Sequence, residues 1–364
     1  MNIAIFIPNY NAGGTEQVAL RLGNFFSDKD YNVLLISLAD KDFPYKTNFK
    51  IINLDHDLPI RRLNRFVYRM ARLRRVLIEN NIDTILSMGE YPNFLTSVLP
   101  IRGIRKINRY TNSALSASGV TRHLMTLLAR IAFYFSDKTI VPAKRLAEEL
   151  GLNVNSEKIR VITNPISIEE IERKAKVNDR EAFHTSRPFF IHVGQLVQQK
   201  DHDYLLSCYA NYLKMGGTWG LKLVGKGERE RELKNLVVHL GIEHFVEFTG
   251  WCENPFVLII QSQALLLTSR WEGVPNVMLE AMALGRPIIS VDCPTGPREV
   301  LDGGRFGRLI PREDQDLFSN SLLELETNPT LAPELSRLSR FRVTDFEINT
   351  VGRRFLDILE DTRV

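Results

Sequence analysis

Phe189-Phe190-Ile191-His192-Val193-Gly194-Gln195-Leu196 is the stretch that decides how this 364-residue chain folds. A short, mainly apolar run ending at a glycine reads as a strand that opens into a loop. It follows a charged segment, Glu169 to Arg187, closed by Pro188, which suits an interdomain connection. Upstream, the strand-like runs Ile3 to Ile7, Val33 to Leu38, Ile51 to Leu54, Thr84 to Ser87 and Lys138 to Val141 alternate with helical patterns such as Gln17 to Phe26 and Ile60 to Asn80. Val161 to Thr163 makes a last short strand. From Phe189 the alternation restarts, with strands at Leu221 to Val224, Val246 to Phe248, Ala264 to Thr268 and Pro287 to Val291 and helices at His202 to Leu213 and Glu228 to Leu240. Such β-α-β alternation implies mostly parallel sheets covered by helices on both faces. The expected architecture is therefore α/β, with two facing, doubly wound Rossmann-like domains, residues 1–168 and 188–343, joined by a linker at 169–187. Residues 344–364 carry a helix with Phe355, Ile358 and Leu359 on one side, expected to pack back toward the N-terminal domain.

Composition excludes several classes. A hydrophobic fraction of 44% and a charged fraction of 25% are ordinary for a compact globular protein. No run reaches the roughly 18 apolar residues of a membrane span, the nearest, Phe256 to Leu267, being broken by Gln261, Ser262 and Gln263. Met1 to Pro8 lacks the basic flank and the length of a signal peptide, so a cytoplasmic location is expected. Cys208, Cys252 and Cys293 form no CxxC pair and have no histidine cluster beside them, which predicts reduced, mostly buried thiols and no metal site. The net charge of +4 conceals an asymmetry: residues 1–168 carry an excess of nine positive charges and the remainder an excess of five negative ones. The first half should therefore meet an anionic partner.

Three loops could carry chemistry. Asn9-Tyr10-Asn11-Ala12-Gly13-Gly14-Thr15-Glu16 places a glycine pair between a first strand and a first helix, where backbone can approach a phosphate and helix N–H groups can meet it. GxGxxG is absent, so NAD has little support, and a tight βα turn explains the glycines equally well. Gly194 to Asp201 opens at the carboxyl end of a strand, where open α/β sheets bind ligands. Lys200 there is a point charge suited to a diphosphate, although a solvated lysine is the simpler reading of that residue alone. Ser269-Arg270-Trp271-Glu272-Gly273-Val274-Pro275-Asn276-Val277-Met278-Leu279-Glu280 holds the most specific signal. A helix starting near Asn276 sets Glu280 among Val277, Met278, Leu279, Ala281 and Met282, where a carboxylate needs donors. Ribose hydroxyls are suitable donors, and a surface glutamate is the alternative.

The pair Glu272 and Glu280 resembles the E-x7-E signature of the retaining glycosyltransferase family 4, whose members have the GT-B fold with a cleft between two Rossmann-like domains. The likeness runs along essentially the whole chain, through Gly13 to Glu16, Val193 to Lys200, Val224 to Glu228, Phe248 to Trp251, Asp292 to Glu299 and Gly307 to Pro311. It implies that Glu280 holds the ribose of a nucleotide-sugar, that Glu272 bonds the donated sugar and that Lys200 neutralises the departing diphosphate. Gly13 and Gly14, Gly194, Gln195, Gly273 and the backbone at Asn276 and Val277 would complete the donor site, with Gly250 and Trp251 against the base. The family retains anomeric configuration without an enzyme nucleophile and generally needs no bound metal, so Lys200 and Glu272 are the expected catalytic residues. Two departures stand out: Gln195 replaces a common arginine, and Tyr110 stands where many relatives have a histidine near the acceptor. Glu90 and Tyr110 are the acceptor-side candidates.

Arg61, Arg62, Arg65, Arg69, Arg72, Arg74 and Arg75 lie in a segment with no acid between Leu58 and Ile78, interleaved with Leu63, Phe66, Val67, Met70 and Leu73. A basic amphipathic helix of this kind reads as a membrane-surface element. A solvated helix is the bland alternative, and nucleic acid is disfavoured by the absence of a recognised motif. Leu124 to Phe135 reads mainly as a core helix, with lipid contact as the lesser alternative. Together these features predict a glycosyltransferase acting at the inner face of the plasma membrane, moving a hexose or N-acetylhexosamine, most simply UDP-linked, to a lipid-linked saccharide. A soluble GT-B transferase with another acceptor and a catalytically silent scaffold subunit are the competing readings.

Overall fold

The computed structural model describes residues 1–9, 13–38, 47–55, 65–111, 119–176 and 187–361, which divide into two compact units, Met1–Pro165 with Ile348–Val364, and Ile166–Glu347. The first unit runs β1 (Asn2–Ile7), α1 (Gly14–Ser27), β2 (Asn32–Ser37), β3 (Lys50–Asn53), α2 (Arg65–Glu79), β4 (Thr84–Met88) and α3 (Glu90–Val98). It continues with β5 (Arg105–Arg109), α4 (Gly119–Phe135), β6 (Lys138–Val141), α5 (Lys144–Glu149) and β7 (Ile159–Val161). All seven strands are parallel, in the order β3-β2-β1-β4-β5-β6-β7.

The two-residue period of β1 splits its side chains between two cores. Ile3, Ile5 and Ile7 pack with Val18, Leu22 and Phe26 of α1, while Ala4 and Phe6 pack on the other face with Leu73, Val76 and Leu77 of α2. Burial on both faces is why the strands read as near-continuous apolar runs. β5 departs from that rule, since only Ile107 of Arg105–Arg109 is aliphatic. Arg109 is nonetheless buried, its guanidinium donating to Asn164 Oδ1 at 2.5 Å and lying 5.6 Å from the ring centre of Phe355.

The second unit opens with α6 (Ile168–Ala175), then β8 (Phe189–Val193), α7 (His202–Lys214), β9 (Gly220–Val224), α8 (Glu230–Leu240), β10 (Val246–Gly250) and α9 (Phe256–Ile259). There follow β11 (Ala264–Leu267), α10 (Asn276–Ala283), β12 (Ile288–Val291), α11 (Pro297–Val300), β13 (Arg308–Ile310), α12 (Gln315–Thr327) and α13 (Leu331–Val343). Its six parallel strands take the order β10-β9-β8-β11-β12-β13. The first part of the expected linker is α6, which belongs to this unit. The Ser167 side chain accepts from Glu170 N to cap it, and Ile171 and Ala175 bury in the second-unit core. Residues 177–186 of that segment lie outside the described residues.

The closing helix α14 (Ile348–Glu360) belongs to the first unit, burying Val351, Phe355, Leu356, Ile358 and Leu359 in the core shared by α1 and β1. Phe355 is fully buried, and Phe355→Ala removes its transfer energy and leaves a cavity. The expected loss is about 3–5 kcal/mol, read as a lower denaturation midpoint by circular dichroism. A midpoint equal to wild type would mean that α14 contributes nothing to this core.

Candidate functional site

Each sheet reverses its strand order once, between β1 and β4 in the first unit and between β8 and β11 in the second. Ligands of open α/β sheets bind beyond the carboxyl ends of the strands at such a switch point. In the second unit the two bracketing loops are Gly194 to Asp201 after β8 and Thr268 to Pro275 after β11. Lys200 ends a short 3-10 turn, Gln198–Lys200, and its Nζ donates to Glu272 Oε1 at 2.6 Å, with the side chains 17% and 7% exposed. Ser269 Oγ donates to the same oxygen at 2.5 Å.

The two loops are bonded along their length. Thr268 Oγ1 donates to Lys200 O at 2.9 Å, Arg270 N to Gln199 O at 2.7 Å and Gln199 Nε2 to Trp271 O at 2.9 Å. A third segment closes the arrangement from behind, where Thr295 Oγ1 donates to the carbonyl of Glu272. Gly296 has φ of 92°, and a Cβ there would meet Gly273 O at 1.9 Å, so only glycine allows this approach. Gly225 is equally constrained, with φ of 142° and Gly194 O at 1.9 Å from the position of a Cβ.

Asn276 and Val277 begin α10, whose N-terminal end carries partial positive charge. Glu280 lies one turn further on, 8% exposed between Leu279 and Ala281, which are fully buried. Gly194 adjoins Lys200, while Gln195 is exposed. Gly250 ends β10 with φ of 73°, and Trp251 beside it is 60% exposed. Gly13 and Gly14 are in the first unit, at the start of α1 after β1, and Glu90 starts α3 after β4, so these residues bracket the other switch point. Burial pushes the Glu90 carboxyl above the usual range.

Tyr110 corrects the acceptor-side expectation. Its ring is 1% exposed in a cluster with Ala129, Leu146 and Ile159, and its hydroxyl donates to Ala129 O at 3.0 Å. The bulk that makes tyrosine a good core filler leaves its polar end satisfied inside the unit, so it presents nothing to a ligand. Sequence reading passed over Asp201, Arg270, Arg312, Ser269 and Thr295, each of which holds the Lys200 or Glu272 loop. Cys208 and Cys293 are buried thiols raised well above their ordinary range by burial, Cys208 to about 12, and all three cysteines are free. No group of three potential metal-ligating side chains occurs among the described residues.

Two family models match the chain, one described as Glycosyltransferase Family 4 over residues 12–170 and one as Glycosyl transferases group 1 over residues 187–328. The chain is 28% identical over 369 residues to an uncharacterized glycosyltransferase of Haemophilus influenzae, covering 98% of this chain and 99% of that protein. It is 24% identical over 372 residues to the N-acetylgalactosamine-N,N'-diacetylbacillosaminyl-diphospho-undecaprenol 4-alpha-N-acetylgalactosaminyltransferase of Campylobacter jejuni, covering 98% and 99%. Among solved structures, Anabaena HepE in complex with UDP and glucose superposes with a TM-score of 0.82 at 18% identity, over 98% of this chain and 99% of that one. At that identity the likeness is one of fold.

Behind Lys200 lies a buried histidine pair. His192, on β8, and His202, the first residue of α7, are both 0% exposed and meet edge to face at 4.6 Å between ring centres. His192 Nδ1 bonds Leu266 O at 2.9 Å, but His192 Nε2 and both nitrogens of His202 have no hydrogen-bond partner among the described residues. Burial, then the charges of Lys200 and Arg229, pushes His202 down to about 4, and burial pushes His192 down as well, so both are neutral near pH 7. In the unfolded chain these histidines titrate near about 6.5. Their depressed folded values therefore contribute stability that is complete above that pH and lost as pH falls toward about 4. Thermal midpoints should drop between pH 7 and pH 5 in wild type and drop less in His202→Phe. Parallel pH profiles would contradict this.

Proposed function

We propose that this chain, a glycosyltransferase of GT-B fold belonging to glycosyltransferase family 4, moves a hexose or N-acetylhexosamine from a nucleotide-sugar to a lipid-linked saccharide during cell-surface polysaccharide synthesis, with retention of anomeric configuration. The observation that carries the reading is the Lys200–Glu272 pair at the switch point of the second unit. A largely shielded cation and a buried carboxylate side by side match the two halves of a nucleotide-sugar at the scissile bond, diphosphate and sugar hydroxyls. Lys200 exchanges its contact with Glu272 for the diphosphate oxygens, and the first N–H groups of α10 add donors aimed at negative charge. Glu272, held by Ser269, accepts from hydroxyls of the sugar, and Glu280 accepts from the ribose.

The acceptor oxygen forms its bond to the anomeric carbon on the face from which the diphosphate leaves. The bond between that carbon and the diphosphate oxygen breaks with its electron pair passing to the diphosphate, whose oxygen takes the acceptor proton. No side chain need become covalently attached. UDP is the favoured nucleotide because the structurally similar HepE was solved with UDP and glucose. A lipid-linked acceptor is supported by the Campylobacter relative, whose name specifies a diphospho-undecaprenol-linked saccharide.

Membrane contact is supported by exposed apolar side chains on α2, α3 and α4. Phe66, Val67, Ile78, Tyr91, Leu124, Leu127, Tyr134 and Phe135 are large apolar side chains exposed on these three helices. α4 buries Ala129 and Ala132 and packs Phe133 against the core expected of it, while Leu124, Leu127, Tyr134 and Phe135 are exposed. A groove of about 1060 Å³ has Arg74, Ile78, Arg102 and Phe135 among its lining residues. The arginines of α2 are not equivalent. Arg69 is tied to Asp55 and to the Tyr91 hydroxyl at 3.0 Å, and Arg72 donates to Tyr68, so these two stabilise the unit's own surface. Arg65 and Arg74 are exposed, and Arg75 makes an exposed pair with Glu79. Arg61 and Arg62 lie outside the described residues. No described helix is long and apolar enough to cross a membrane.

Two measurements test the reading. In a thermal-shift panel of UDP, GDP, ADP, CMP and NAD, a nucleotide at 100 times its dissociation constant should stabilise the fold by about 2.7 kcal/mol. The UDP shift should vanish in Glu280→Ala, and its persistence would sink the ribose assignment. Each basic residue near an anionic bilayer contributes about 1 kcal/mol. Arg65→Glu with Arg74→Glu and Arg75→Glu should therefore abolish flotation with phosphatidylglycerol vesicles while leaving the nucleotide shift intact. Undiminished flotation would remove α2 from the membrane surface.

A further inference from the structure

Asp201 stands at the N-cap of α7, where an aspartate ordinarily accepts hydrogen bonds from the first helix N–H groups. Here its side chain makes no capping bond and is instead 6% exposed between two guanidinium groups. Oδ1 accepts from Arg270 at 2.9 Å, and Oδ2 accepts from Arg312. Arg270 comes from the loop after β11, two residues before Glu272, and Arg312 from the segment after β13. Asp201 also holds a left-handed backbone, φ 51° and ψ 50°, a conformation that aspartate tolerates better than most non-glycine residues. Thr268 Oγ1 reaches both Lys200 O and, at 3.2 Å, Asp201 O. The backbone that carries Lys200 is therefore gripped at its own carbonyl and at the next side chain, by elements following two different strands.

We propose that Asp201, clamped by Arg270 and Arg312, is a positioning residue for the diphosphate of the donor. It fixes the turn from which Lys200 reaches the leaving group. The clamp also leaves one net positive charge beside a site in which Gln195 is neutral. The inference rests on Lys200 being the diphosphate lysine. Simple electrostatics gives the opposite sign: deleting a negative charge near an anion site should tighten anion binding. A clamp predicts weakening, because a displaced ammonium loses its contact.

The test is calorimetric titration of the full chain with UDP, UMP and uridine, for wild type, Asp201→Asn, Arg312→Gln, their double variant and Arg312→Lys. Wild type should prefer UDP to UMP, and Asp201→Asn should weaken UDP about tenfold while UMP and uridine change less than about twofold. Arg312→Gln should act in the same direction, the double variant should be no worse than the stronger single one, and Arg312→Lys should recover part of the loss. Should Asp201→Asn fail to fold, Arg312→Lys carries the comparison, since it keeps the charge and changes only the geometry of the contact with Asp201, so a remaining loss of UDP affinity there reports the clamp and not a lost charge. Unchanged or tighter UDP binding in a folded variant would overturn the clamp, as would an equal loss of UDP and UMP, which marks a structural residue only. A wild type that binds none of UDP, GDP or ADP would overturn the donor reading and the clamp with it. A wild type that binds UDP keeps the donor reading whatever the variants do.

Discussion

The ion pair between Lys200 and Glu272 is the constraint on which the second unit's site depends. Two opposite charges taken largely out of water cost more in lost hydration than a surface pair, and their attraction repays that only with good geometry and further hydrogen bonds. Both conditions are met: the contact is 2.6 Å, Ser269 supplies a second donor to the carboxylate, and the two loops are joined through Thr268, Gln199 and Arg270. Losing one partner would leave a buried charge, an effect of about 3–5 kcal/mol in other proteins. Such a pair is weak support for stability alone. It is well suited to a site where an incoming anion takes the lysine and incoming hydroxyls take the glutamate, so that neither charge is left uncompensated.

Topology explains why these two residues meet although they are separated by several strands and helices in sequence. β8 and β11 are adjacent in the sheet because strand order reverses there, and the loops leaving their carboxyl ends have no helix between them. The first unit repeats the device between β1 and β4, which puts Gly13, Gly14 and Glu90 at its own switch point.

Most of the fold was legible in the sequence because strands buried on both faces are written as apolar runs and helices as an apolar stripe. What escaped was burial of long polar side chains. β5 has a single aliphatic residue, yet its Arg109 is buried against Asn164 and Phe355, an arrangement no local pattern encodes. α6 was hidden for a similar reason: among its charges, only Ile171 and Ala175 bury deeply, enough for one helical face but too few to stand out. In the site, glycines and glutamates announced themselves by spacing, whereas Asp201 and Arg312 did not, since they are 111 residues apart and meet only through the sheet. Tyr110 failed in the other direction, because its place at a strand end is visible in sequence but the direction of its ring is not. The arginines of α2 looked alike until Asp55 and Tyr91 were seen to hold Arg69.

The most direct test of the account is release of nucleoside diphosphate from a panel of sugar nucleotides, with bacterial membrane lipids as acceptor, by wild type and by Glu272→Gln. The account predicts release coupled to appearance of the sugar in the lipid fraction for wild type, with Glu272→Gln still binding the nucleotide but transferring little. Full transfer by Glu272→Gln, or nucleotide binding by wild type without transfer from any sugar nucleotide, would contradict it.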